Sequence, residues 1–440
     1  MKSMRKMRRR DFLKTLPLAV AGVAGFPTIV RASALGLDGA IAPSNRIVMA
    51  GIGFGMMGFP NMEAFLSKDE VQWVAVCDLD DKPLFKARDM INEKYGNKDC
   101  ATYKDFRELF LRRDIDAASI AVPDHWHAIL SISAARAGYD IYGEKPFTHS
   151  LREGRALCNA IQRYGRVWQT GSWQRSVENF HHACELVRNG RIGKVLRIEV
   201  GLPSGHHDFA GTFGQETIGP PPPGLDYDFW VGPAPFVPYC QARVHMNWRW
   251  NMDFGGGQLM DWIGHHGDIA HWGMGWDETG PVEVEGRGEF PTAGIYNSAL
   301  RFYITAKYAD GTPMVIAGGY PDVRSGTKWI GEYGWVWVDR EGFETQPAGL
   351  INESIGPNEI RLYKSRDHYR NFLDSVKTRS LTITPSEVAH RSASVGHLGV
   401  IAIELARKIR WDPKTETIID DPEAERLLSR AYRKPWVLPE

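Results

Sequence analysis

The run GGGQLMDWIGHHGDIAHWG, residues 255–273, gathers Asp261, His265, His266, Asp268 and His271 behind three glycines. On a helix, Asp261 and His265 are four residues apart and share one face, which Asp268 joins three residues further on. Such a face could hold a metal ion. It could also present a histidine base oriented by a carboxylate, or be an ordinary capped core helix. His266 and His271 fall off that face and read as structural.

Three other short stretches bear on the choice. Gly53-Phe54-Gly55-Met56-Met57-Gly58 fits GxGxxG, follows the apolar run RIVMAGI, and is followed by a helix-compatible segment. In that setting the glycines let the backbone approach a pyrophosphate at a helix N-terminus, and Asp78, closing the next strand, is placed to accept from ribose hydroxyls. A carboxylate there, with Asp80 and Asp81 close behind, favours NAD over NADP. Tyr142-Gly143-Glu144-Lys145-Pro146 ends another strand. A lysine at that edge, beside a nicotinamide, can donate to a substrate hydroxyl and stabilise developing negative charge. Pro123-Asp124-His125-Trp126-His127 ends a third strand, and His127 either lines the cofactor cleft or caps the helix it begins. Hydride transfer to NAD needs a proton acceptor but no metal, and the chain has no HExxH-type partner motif. The 255–273 run is therefore read as a proton-relay site, with no metal expected.

The elements that must position these residues are legible as periodicities. From residue 45, RIVMAGIG, VQWVAVCD, AASIAVP and DIYGEKP read as buried strands. KPLFKARDMINEKYG, KDFRELFLRR and HAILSISAARAG lie between them as helices, and SLREGRALCNAIQRYG with RVWQTGS adds one more unit. This alternation implies an α/β fold with a doubly wound parallel sheet over about residues 45–168. Beyond residue 195 longer alternating strands dominate, with a hairpin signal at Asp310-Gly311. Residues 219–239 hold four consecutive prolines and read as a stiff irregular insertion. Helical patterns return in SRDHYRNFLDSVKTR and SEVAHRSASVGHLGVIAIELARKIRW, so residues 169–440 are assigned to a second domain with C-terminal helices.

The first 34 residues differ in kind. A basic start, an interrupted apolar run and Ala32-Ser33-Ala34 form an export signal, and Arg9-Arg10-Asp11-Phe12-Leu13-Lys14 resembles the twin-arginine type. That implies a periplasmic protein exported already folded, with its cofactor loaded beforehand. Without this segment the chain keeps 45 basic and 52 acidic residues, a net charge of −7. A mildly acidic protein has no electrostatic case for nucleic acid, and no membrane span is expected in the mature chain. The five cysteines have no CxxC spacing and indicate neither a disulfide framework nor a zinc site. Fifteen tryptophans and fifteen tyrosines suit either an aromatic core or a carbohydrate cleft.

With GIGFGMMG, VCDLD, VPDHWH, GEKP, IGKV, GGGQLMDWIGHHGD and the closing NFLDSVKTR and HLGVIAIELARKI, the chain after residue 44 resembles the Gfo/Idh/MocA family of sugar and polyol oxidoreductases. The resemblance implies a Rossmann domain followed by an α+β domain with a large, mostly antiparallel open sheet, and a homo-oligomer. It implies Lys145 as the catalytic lysine and Asp261–His265 as the acid–base pair, with Asp261 orienting the imidazole. Glu144 would lie near the nicotinamide ribose, and Trp248 and Arg249, within Asn247-Trp248-Arg249-Trp250, would fold over the cofactor. Hydride would pass between a carbinol of a sugar, glycoside or polyol and tightly bound NAD, recycled within the site. One branch of that family hydrolyses α-N-acetylgalactosaminides with bound NAD but departs from the EKP motif, whereas Lys145 is present here. A cofactor-bound sugar sensor is a third reading, against which the intact Lys145/Asp261/His265 trio stands.

Overall fold

Six short apolar runs form the strands β1 (Ile47–Ile52), β2 (Val71–Cys77), β3 (Ala101–Tyr103), β4 (Ala117–Ile120), β5 (Asp140–Gly143) and β6 (Trp168–Thr170). The structure, a computed structural model, describes residues 41–42 and 45–439. The proposed export signal at 1–34 lies outside the described residues. The six strands pair in the order β3-β2-β1-β4-β5-β6, every pair parallel. Strands β4 and β5 are buried at every residue, as a parallel sheet covered on both faces demands.

The covering helices are α1 (Gly58–Leu66), α2 (Asp81–Tyr95), the short α3 (Phe106–Leu109), α4 (Asp124–Ala137) and α5 (Leu151–Arg163). Along β1, Ile47 and Met49 join Phe65, Leu84 and Ile91 on one side, while Ala50 and Ile52 join Ile129, Leu130 and Leu157 on the other. Local chemistry sets the helix limits. The Asp80 side chain caps α2 at Lys82 N, and Gly96 ends it at φ 65°. Ser150 caps α5 at Glu153 N, each cap meeting a helix-end donor that would otherwise lack a partner. The strand order reverses between β1 and β4, and ligands of doubly wound sheets bind at that crevice.

After α6 (Glu178–Arg188) comes a second sheet. It contains β7 (Val195–Leu202), β8 (Glu283–Glu289), β9 (Arg301–Lys307), β10 (Pro313–Gly318), β11 (Gly326–Gly331), β12 (Gly334–Val338), β13 (Phe343–Gln346), β14 (Ile409–Asp412) and β15 (Thr417–Ile418). Their order is β13-β12-β11-β7-β10-β9-β8-β14-β15. The β7–β10 pair is parallel and the pairs around it are antiparallel. Strand β9 alternates buried and half-buried residues, the pattern of a sheet with one covered face. Asp310-Gly311 turns β9 into β10 as expected, with Gly311 at φ +87° and Thr312 N donating to Asp310 Oδ1 (2.9 Å).

The irregular 219–239 segment contains one short helix, α7 (Tyr227–Val231). Helices α8 (Gly257–Trp262) and α9 (Asp268–Met274) flank a π-turn at Ile263–Gly267. Near the C-terminus, α10 (His368–Thr378) returns to the first sheet, its Phe372, Leu373 and Val376 packing in the layer beneath Met49 and Trp73. The longer α11 (Ser386–Leu405) packs against both α5 and β8, and a short α12 (Pro422–Arg426) follows β15. The parallel sheet is thus completed by residues far along the chain from its own strands. Among the described residues no helix is long and apolar enough to cross a membrane.

Candidate active site

Each glycine of the 53–58 loop meets a different constraint. Gly53 has φ +84°, and a Cβ on it would lie 2.4 Å from the Ala121 carbonyl oxygen. At Gly58 a Cβ would lie 2.1 Å from the Gly53 oxygen, so α1 can start there only against a bare backbone. A Cβ on Gly55 meets nothing within 4 Å. That open space at the turn into α1 is where the pyrophosphate of a dinucleotide would sit. Asp78 holds the loop from the neighbouring strand, its Oδ2 accepting from Phe54 N (2.8 Å) and its Oδ1 from Asp80 N (2.9 Å). Burial pushes its carboxyl up to about 6.

One cleft is lined by Gly53, Phe54, Gly55, Met56, Met57, Asp78, Pro123, Glu144, Lys145, Trp248 and Arg249. Segments predicted separately from the sequence therefore meet on one surface. Gly58 lies behind the loop. His127 lies behind the wall, its Nδ1 2.6 Å from the Pro146 carbonyl oxygen and its Nε2 2.8 Å from that of Val122. The ring ties the turn after β4 to the turn after β5. The insertion closes the other side. Asp81 N donates to the Gly224 oxygen and Asp226 N to the Leu79 oxygen (3.2 and 3.0 Å), and Lys104 Nζ donates to the Gly224 oxygen (2.6 Å). Leu225, Phe229 and Trp230 thereby face the glycine loop across the cleft.

At the carboxyl end of β5, Lys145 Nζ donates to Asp261 Oδ1 (2.7 Å) and to the Asp261 carbonyl (2.9 Å). Arg249 Nε reaches the same Oδ1 at 3.2 Å. Burial favours protonation of Asp261, but Lys145 and Arg249 override it and hold the carboxyl well below the usual carboxylate range. Gly264 gives Lys145 room, since a Cβ there would lie a tight 3.3 Å from the Lys145 Cβ.

The expected single helical face is not what forms. A π-turn intervenes between Asp261 and Asp268, and π-turns recur at functional sites because they re-aim side chains within a helix. The carboxylate of Asp261 goes to Lys145 and Arg249 rather than to His265. The His265 ring lies against Trp262 (5.5 Å between centroids), and its Nδ1 is buried without a partner. Burial, with Lys145 and Arg340 nearby, pushes its pKa well down and keeps the imidazole neutral. On the cleft wall, Glu144 Oε1 accepts from Asn61 Nδ2 (2.9 Å) while Oε2 is buried and unpaired. Such an acceptor fits a ribose hydroxyl, and burial raises the Glu144 pKa.

Asp268 belongs to another network. Arg175 Nε donates to its Oδ2 (2.7 Å) and Arg175 Nη2 to its Oδ1 (2.8 Å), while Nη2 also reaches Asp277 Oδ1 (2.8 Å). The Arg175 and Asp268 side chains are 2% and 3% exposed. Breaking such a pair from one side leaves a buried charge without compensation. Arg175→Met is therefore expected to destabilise the fold by about 3–5 kcal/mol, read as a lowered midpoint in urea with an unchanged slope. His266 packs against Trp262 and Phe180, and His271 Nε2 lies 2.6 Å from the Tyr308 hydroxyl. Burial lowers the two pKa values to about 3 and about 4. Among the described residues no group of three or more His, Cys, Asp or Glu is arranged to hold a metal ion.

Two residues of the site escaped the sequence reading. Asp124 follows Pro123 at the end of β4 and accepts from Gly256 N (3.3 Å). Burial and the neighbouring Asp261 raise it to about 7. Its place after a strand at the carboxyl edge was the available signal. Arg340 lies between β12 and β13 and stacks on Trp262, the residue after Asp261. No local pattern connects those positions.

Family models match two stretches: residues 46–172 fit "Oxidoreductase family, NAD-binding Rossmann fold" and residues 177–438 fit "Oxidoreductase family, C-terminal alpha/beta domain". An α-N-acetylgalactosaminidase of Shewanella oneidensis is 27% identical over 216 residues, 44% of this chain and 46% of the relative. The chain thus spans about half the length of that curated relative. Among solved structures, aldose–aldose oxidoreductase from Caulobacter crescentus is 18% identical with a TM-score of 0.60, covering 83% of this chain and 99% of the other. Scyllo-inositol dehydrogenase from Lactobacillus casei, solved with NAD(H) and scyllo-inositol, is 16% identical with a TM-score of 0.58 and the same coverages. These structures share the fold. With both of its sheets, its glycine loop and most of its length matched, the chain belongs to the Gfo/Idh/MocA family of NAD-binding oxidoreductases.

Proposed function

We propose that the protein oxidises or reduces a carbinol of a sugar, glycoside or polyol against NAD held tightly in the cleft. The observation that carries this reading is Lys145, which lines the cleft with the glycine loop and is bonded to Asp261, beside a buried, neutral His265. NAD, when bound, supplies the acceptor for the hydrogen leaving carbon with its electron pair. His265, kept neutral, takes the hydroxyl proton as general base. Lys145, fixed by the Asp261 carboxylate and carbonyl, donates to the same oxygen and stabilises its growing negative charge. In the reverse direction His265 returns the proton. Residues 219–250 cover the cleft and shield the reacting atoms from water.

The test supplies neutral and acidic sugars, glycosides and inositols to the purified protein and follows reduced nicotinamide. The rate should fall on the acid side only below the ordinary imidazole value of about 6.5, because His265 binds a proton less readily than a free imidazole. That acid limb should vanish in His265→Asn. An acid limb unchanged in the variant would remove His265 from the role of base.

The same reading takes residues 1–34 as a twin-arginine signal and the mature protein as periplasmic and oligomeric, with NAD loaded before export and recycled in place. The support is the Arg9-Arg10-Asp11-Phe12-Leu13-Lys14 motif and the covered cleft. Denaturing the exported protein should release about one equivalent of NAD(H) per chain. A redox-neutral glycosidase is the second reading, favoured by the similarity to an α-N-acetylgalactosaminidase. It predicts nitrophenol from a nitrophenyl glycoside with no net reduced nicotinamide.

A further inference from the structure

Arg340 is the one cation packed against the Lys145–Asp261–His265 group that has no carboxylate partner among the described residues. Its guanidinium carbon lies 4.5 Å from the Trp262 ring centre and 4.7 Å from that of Trp173. With the Gln174 amide in the orientation that satisfies both of its ends, its oxygen accepts from Arg340 Nε (3.1 Å) and its nitrogen donates to the His265 carbonyl (3.2 Å). Gln174 therefore ties Arg340 to the backbone of the proposed base. The side chain is exposed, so both terminal nitrogens remain available to a ligand.

The carboxylates around it are engaged elsewhere. Asp261 is shared by Lys145 and Arg249, and Glu144 is bonded to Asn61. Asp124 accepts from the Gly256 amide. Lys145 and Arg249 thus hold Asp261 between them while Arg340 makes no ion pair among the described residues, and an oxidised nicotinamide adds positive charge. A guanidinium held against two rings with its Nε engaged keeps its two terminal nitrogens, and such a pair matches two oxygens of an oxyanion bidentately.

We infer that Arg340 is a specificity-determining residue and that the substrate carries an oxyanion, a carboxylate or a sulfate ester, docked on its guanidinium edge while the reacting carbinol lies at Lys145 and His265. This rests on the proposed carbohydrate chemistry of the same site.

The test uses holoprotein with methyl glycosides of gluco, galacto and manno configuration, each in three forms: neutral, uronide and primary sulfate ester. Single-turnover reduction of the bound nicotinamide gives the limiting rate, taken as kcat, and the half-saturating concentration, taken as KM, and calorimetry gives binding. An acidic member should exceed its neutral counterpart about 10- to 100-fold in kcat/KM, the effect of one charge-assisted pair. Which acidic form gains identifies the oxyanion as carboxylate or sulfate. Arg340→Gln should raise KM for that form far more than for its neutral counterpart, so that the preference is lost, and keep the melting temperature. Arg340→Lys should restore part of the preference. Equal handling of neutral and acidic forms by the unmodified protein overturns the inference, as does a variant that weakens both equally, which is the mark of a packing role. Should no glycoside be oxidised, the hydride-transfer reading fails and binding still decides. Uronide or sulfate binding lost in Arg340→Gln upholds the anion site, and no binding to either refutes it.

Discussion

Lys145→Met lowers the rate of hydride transfer by about 10²- to 10³-fold, the cost of removing one preorganised donor to a developing oxyanion, while NAD stays bound. Methionine keeps most of the stem and removes the charge. Asp261 then keeps Arg249, 3.2 Å away, so the buried carboxylate is not left alone and the fold should survive. Lys145 also donates to the Asp261 carbonyl, which places its nitrogen independently of the carboxylate. Asp261→Asn should therefore retain more activity than Lys145→Met. A single-turnover measurement with matched NAD content separates the chemical step from cofactor loss. A Lys145→Met protein within about threefold of the unmodified rate would reduce Lys145 to a counter-ion for Asp261, because even a modest oxyanion donor contributes more than that.

The parts of this site legible in the sequence are those whose physics is local. A glycine spacing between a strand and a helix reports a turn that only bare backbone can make, and the structure shows what Gly53 and Gly58 would strike. Lys145 could be placed because strand ends in an alternating βα series lie on one edge. The parallel and antiparallel sheets were readable from continuous versus alternating burial, visible in β4 and β9.

What escaped depends on contacts between distant residues. Spacing of i,i+4 suggests one helical face, yet the π-turn at Ile263–Gly267 redistributes it, sending Asp261 to Lys145 and Asp268 to Arg175. Nothing near Arg175 signals a partner ninety-three residues away. In the same way, α10 reads as part of a C-terminal domain by chain order but packs beneath Met49 and Trp73. An amphipathic helix shows which face it buries and not which sheet it buries it on.

Two single-carbon substitutions, two residues apart, should have opposite signatures. Gly55→Ala adds a Cβ that meets nothing within 4 Å, so stability should stay within about 0.5 kcal/mol of the unmodified protein. The added carbon occupies the space a pyrophosphate needs, so NAD affinity should fall tenfold or more, about 1.4 kcal/mol. Gly53→Ala does the reverse in kind. At φ +84°, with Ala121 O 2.4 Å and Val122 Cγ1 2.9 Å from the new carbon, it should destabilise the fold itself by about 1–3 kcal/mol. Melting temperature without added NAD, set beside NAD released on denaturation, distinguishes the two. The contrast matters because either variant alone loses cofactor. A Gly55→Ala protein that melts normally and still carries NAD at the original affinity would mean that the loop is a structural turn, with the pyrophosphate held elsewhere. Normal melting with NAD lost would leave the cradle above Gly55 as the place where the phosphates bind.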